Sequence, residues 1–129
     1  MTNQLLTTTE IRELASKLDL KPTKKLGQNF VTDQNTVEKI VRTSNVTKDS
    51  HVLEVGPGLG SLTLALLAKG AKVTAVEIDS RLAELLPITA KSKGFSDSQL
   101  SVINKDALEI TTDDVNNHWN RYVIRQICD

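Results

Sequence analysis

The sequence predicts an α/β protein: a doubly wound parallel sheet with helices on both faces, of which these 129 residues supply the N-terminal half. Three observations carry that expectation. Short β-branched apolar runs recur at Val52–Val55, Ala71–Ile78 and Leu100–Asn104, as in strands covered on both faces. Helical patterns separate them, and three glycines, Gly56, Gly58 and Gly60, follow the first run. Strands alternating with helices indicate βαβ units.

Taken in order, the chain opens on a helix. Thr7 and Glu10 have capping-box spacing, and Ile11, Leu14, Ala15 and Leu18 recur on one face. Leu20 to Gly27 breaks that helix and carries Lys21, Lys24 and Lys25, a small basic patch suited to phosphate contacts or to a solvated linker. Gln28-Asn29-Phe30-Val31 follows, two amides and an aromatic able to satisfy and stack near a polar ligand. Asp33 is placed to cap a second helix with Val37, Ile40 and Val41 as its buried stripe. His51 opens the central strand and is expected to be structural.

Gly56, Gly58 and Gly60 let the backbone turn sharply and approach a ligand. A helix opens at Ser61, its first N–H groups pointing toward that ligand, and Gly70 ends it. The spacing is E-x-G-x-G-x-G, the form found in S-adenosylmethionine (SAM) methyltransferases. The dinucleotide fingerprint would place its third glycine at Ser61, which argues against an NAD-dependent oxidoreductase. Glu77 ends the second strand about 20 residues on, where a βαβ nucleotide site keeps its ribose-binding carboxylate. The next helix begins at Arg81; Pro87 is expected to kink or shorten it, and Gly94 marks its exit. Asp106 follows the third strand, either as a cap or as an acceptor for an adenine amine.

Composition narrows the class. Sixteen basic residues balance sixteen acidic ones, so nucleic-acid contact needs a local patch. Cys128 is the only cysteine, which excludes an internal disulfide. No membrane-length apolar run, signal-peptide pattern or metal-ligand spacing occurs. These features point to a soluble cytoplasmic protein without a metal.

Together, Lys24 to Val31, Leu53 to Thr63, Val76 to Asp79 and Asn104 to Leu108 resemble the rRNA adenine N6-dimethyltransferases, nearest the bacterial 16S rRNA branch. The Leu26-Gly27-Gln28-Asn29-Phe30 block is the specific part of a likeness covering roughly residues 7 to 112. The resemblance implies a Rossmann-like methyltransferase fold and SAM as cofactor. It implies SAM contacts at Asn29, Val31, Gly56, Glu77 and Asp106, with Gln28 and Gly58 lining the same pocket. Val31 stands where the family usually has Leu, and it keeps an apolar contact. The implied reaction dimethylates N6 of two adjacent adenosines near the 3′ end of 16S rRNA in the small ribosomal subunit.

The family's catalytic Asn-Leu-Pro-Tyr or Asn-Leu-Pro-Phe motif is absent, so no catalytic residue is assigned. Residues 1–32 are expected to form the N-terminal helix and the contact segment, and 33–112 the SAM-binding core. Residues 113–129 read as a non-family tail at a truncation, although Tyr122-Val123-Ile124 has strand character. An inactive SAM- or RNA-binding fragment is the alternative. Replacing Lys21, Lys24 and Lys25 together with Ala should lower RNA affinity and flatten its salt dependence by up to about 0.9 for each phosphate no longer neutralised. An unchanged slope in salt-dependent RNA titrations would make the three lysines a solvated linker.

Overall fold

The computed structural model describes residues 4–19, 34–111, 113–114 and 122–125, the last four as backbone pairing. The elements run α1 (Thr8–Lys17), α2 (Gln34–Ser44), β1 (His51–Val55), α3 (Ser61–Ala68), β2 (Lys72–Val76), α4 (Ser80–Ser92), β3 (Leu100–Ile103) and β4 (Tyr122–Arg125). A short 3₁₀ helix, Ala107–Glu109, lies between β3 and β4. Asp33, Gln28, Asn29, Val31 and the three lysines lie outside the described residues.

The four strands are parallel in the order β3-β2-β1-β4. From β1 through α3 to β2, and from β2 through α4 to β3, the chain steps the same way across the sheet. Right-handed crossovers therefore put α3 and α4 on one face. The order reverses between β1 and β4, where Val52 to Val55 pair with Tyr122 to Arg125. That reversal is a topological switch point, and in such sheets the crevice beyond the strand ends receives the ligand. The glycine turn leaves β1 at this place.

The core forms where α3 meets the sheet. Ser61 to Leu67 of α3 are all buried, so this helix is covered all round, against β2 on one side and α2 on another. Val52, Val73 and Ala75 meet Leu62, Leu64, Leu66 and Leu67 in one cluster with Val37 and Val41 of α2. The capping box of α1 forms as expected, Thr7 Oγ1 accepting from Glu10 N (3.1 Å) and Glu10 Oε1 from Thr7 N (3.0 Å). α1 runs antiparallel to α4: Lys93 Nζ donates to Glu10 Oε2 (2.6 Å) at one end, and Arg81 Nη1 to the Leu18 carbonyl (2.9 Å) at the other.

Pro87 does not end its helix. α4 runs on to Ser92 because Leu82, Ala83, Leu86, Thr89 and Ala90 stay buried on both sides of the proline. The packing of that continuous stripe outweighs the one backbone bond that proline cannot donate.

Gly60 closes the turn with φ of +101°, and a Cβ there would stand 2.5 Å from Leu86 Cδ1. Leu86 is itself fully buried and has little room to yield. Gly60→Ala should therefore lose roughly 2–4 kcal/mol, combining left-handed strain with overpacking. Urea unfolding of both proteins measures it, and coincident midpoints would show that α3 shifts to accept the methyl.

Candidate functional site

The site forms where the first two strands end. Gly56 N donates to the Val76 carbonyl (2.9 Å), which fastens the start of the turn to β2. Gly56, Gly58 and Gly60 all have positive φ, a conformation that side chains strain. Gly58 N then donates to Glu77 Oε1 (3.1 Å), and Asp79 N to Glu77 Oε2 (3.0 Å). Glu77 is buried, not a solvated strand-end charge. Burial pushes its carboxyl above the ordinary range, and the amides of Asp79 and Gly58 pull it back. Each oxygen accepts one amide and keeps further acceptor capacity.

Asn104, past the end of β3, locks the neighbouring loop. Its Nδ2 donates to the carbonyls of Glu77 (2.9 Å) and Ile78 (3.2 Å), and its Oδ1 accepts from Ser80 Oγ (3.0 Å). Asp106 caps the 3₁₀ helix, Oδ1 accepting from Leu108 N (2.9 Å). Two apolar side chains stand in solvent beside these acids: Ile78 is 66% exposed and Leu108 93%. Sequence reasoning passed over both, and over the role of Asn104. The available signal was an isoleucine between two acids, Glu77 and Asp79, at a strand end.

Behind the turn lies a second carboxyl. Glu54 is 0% exposed. Thr63 Oγ1 donates to its Oε1, and its Oε2 has no hydrogen-bond partner among the described residues. Burial pushes Glu54 up to about 7, opposed by the Thr63 bond and assisted by the charge of Glu77. A cleft of about 640 Å³ lies elsewhere, lined by Leu5, Val41, Val46, Ala65 and Ala68 near the far end of α3. None of the sequence-predicted site residues lines it, so the strand ends are the better candidate. Among the described residues no three His, Cys, Asp or Glu side chains group to hold a metal, and no helix is long and apolar enough to cross a membrane.

The Ribosomal RNA adenine dimethylase model matches residues 20–126. The chain belongs to this family. The match runs through Tyr122–Arg125, inside the stretch 113–129 that the sequence alone set apart. Ribosomal RNA small subunit methyltransferase A of Corynebacterium jeikeium (strain K411) is 60% identical over 86% of this chain and 35% of its own length. The protein of the same name from Mycobacterium avium (strain 104) is 57% identical over 89% of this chain and 36% of its own length. The chain thus spans little more than a third of these relatives.

Among solved structures, a dimethyladenosine transferase from Plasmodium falciparum superposes with a TM-score of 0.61 at 25% identity, over 74% of this chain and 32% of that one. The 23S rRNA methyltransferase ErmE gives 0.55 at 36% identity, over 64% of this chain and 32% of that one. An RNA methyltransferase from Salinibacter ruber, solved with S-adenosyl-L-homocysteine, shares the fold with a TM-score of 0.57 at 22% identity, over 61% of this chain and 52% of that one. The fold is that of the SAM-dependent methyltransferases.

Glu54 makes stability depend on pH. Its folded pKa lies above the ordinary 4.5, so the folded protein holds this proton more tightly than the unfolded chain does. The resulting stability is fully present below 4.5 and is lost as pH rises through about 7. The loss is on the order of 3 kcal/mol. Glu54→Gln should lack that component, so its stability relative to wild type should improve between pH 4.5 and 8. Denaturant midpoints at several pH values test this, and parallel curves would mean that Glu54 is ionised throughout.

Proposed function

We propose that this chain carries the cofactor-holding part of an rRNA adenine dimethylase. The full activity is dimethylation of N6 of two adjacent adenosines near the 3′ end of 16S rRNA in the small ribosomal subunit. The observation that carries the reading is the Glu77 carboxylate, held by Gly58 N and Asp79 N at the switch point of a parallel sheet. SAM supplies an activated methyl group when bound.

The residues present fit that cofactor. The remaining acceptor capacity of Glu77 suits a ribose diol. The left-handed glycines at 56 and 58 leave backbone where a side chain would otherwise stand. Ile78 and Leu108 offer exposed apolar surface for the faces of a purine, and Asp106 an acceptor for its exocyclic amine. By family position, Gln28, Asn29 and Val31 complete the pocket, and Lys21, Lys24 and Lys25 meet rRNA phosphates.

Orienting the target amine is a different task. In the family it falls to the Asn-Leu-Pro-Tyr or Asn-Leu-Pro-Phe motif, which these residues lack. Positioning can supply about 7–11 kcal/mol of a barrier at the extreme. That absence favours a second reading, in which the chain by itself binds SAM or RNA and transfers nothing.

Calorimetric titration of SAM into the protein and into Glu77→Ala tests the site. Affinity should fall by about 1–3 kcal/mol on losing charge-assisted bonds, and an equal dissociation constant would remove Glu77 from it. In parallel, labelled SAM with undermethylated small subunits should yield no N6,N6-dimethyladenosine. Product above a no-protein control would place catalytic groups within these residues.

A further inference from the structure

Glu54 is the one fully buried carboxyl among the described residues, and the proposed chemistry makes no use of it. It sits two residues before Gly56, and its Oε1 is fixed by Thr63 in the first turn of α3. Strand and helix are thus pinned together on both sides of the glycine turn. Its Oε2 is a buried polar atom with no partner among the described residues, which costs free energy unless the group is neutral or meets a charge.

Among the described residues the groups around it are few. α3 carries no ionisable side chain between Ser61 and Ala68. Just past β2, Glu77 bears on Glu54 with a negative charge, while Lys72 stands at the opposite end of that strand, in register with His51. His51 lies on the other face of the pleat, bonded to Thr74 Oγ1 (2.8 Å). On β4, Arg125 is in register with Val55, one position beyond the Glu54–Ile124 pair.

We propose that Glu54 is a positioning residue of the turn that receives the cofactor as a neutral acid and releases its proton to solvent when a cation binds there. The inference rests on the turn and Glu77 holding SAM. SAM carries a sulfonium and an ammonium against one carboxylate. S-adenosylhomocysteine lacks the sulfonium charge. A net positive ligand beside two neighbouring carboxyls offsets their mutual repulsion and favours the ionised form of both. Only an O–H bond of Glu54 breaks, and the buffer takes the proton. Ligand binding and ionisation are then linked, and affinity rises with pH through the range where Glu54 titrates.

The experiment is calorimetric titration of SAM, and separately of S-adenosylhomocysteine, near pH 7 in buffers of different ionisation enthalpy. The protein should release a larger fraction of a proton with SAM than with S-adenosylhomocysteine. In Glu54→Gln, which keeps the acceptor for Thr63, that excess should vanish. The wild-type SAM dissociation constant should fall with pH between 6 and 8, by at most about tenfold per unit, and more steeply than that of Glu54→Gln. Equal proton release by the two proteins overturns the proposal. A second measurement needs no variant: carbon NMR of carboxyl-labelled glutamate in the wild type should show the Glu54 resonance move to its ionised position on SAM addition. A resonance that stays protonated in the bound state overturns the proposal while leaving SAM binding intact. Absence of any binding heat sinks this proposal and the functional reading beneath it together.

Discussion

The pair of bonds from Gly58 N and Asp79 N to the carboxylate of Glu77 organises this molecule. A glycine turn has little intrinsic preference for one shape, since glycine has the most conformational freedom to lose. Here a buried acid from the next strand collects one amide from the turn and one from its own following loop. The ends of β1 and β2 are thereby held as a unit, and Asn104 extends it to the end of β3.

Burial of that acid has a cost, and the protein distributes it over two carboxyls. Glu77 stays in contact with amides and with the open end of the sheet. Glu54 lies behind it, wholly enclosed, with Thr63 as its one partner among the described residues. Two like charges this deep disfavour joint ionisation. The helix above them carries no ionisable side chain, so no cation from α3 relieves the pair. Burial raises both carboxyls, and the inner one, Glu54, is pushed up to about 7.

Local rules account for much of the fold. The capping box at Thr7 and Glu10 and the left-handed glycines at 70 and 94 form as their spacing predicts, and in the stripe of α2 Val37 and Val41 are buried while Ile40 is half-buried. Pro87 departs from that pattern because burial of the α4 stripe is a tertiary effect that a local breaker signal does not contain. The strand at Tyr122–Arg125 forms where Tyr122-Val123-Ile124 has strand character, but its place beside β1 is not a local property. Its four residues are weak evidence alone, and they become a strand by pairing with Val52 to Val55 of β1. A parallel partner so far away in sequence leaves no periodic mark.

By itself the sequence determined the alternation of strands and helices, the glycine turn and the acid at the end of the second strand. Those depend on periodicity and on residue types at short spacing. Only the tertiary structure decided that Glu77 is buried and bonded to Gly58, that Glu54 is enclosed with one oxygen unpartnered among the described residues, and that the strand order reverses beside the turn. Each of these depends on which distant segments meet, because desolvation and hydrogen-bond partners are supplied across the sheet and not along the chain.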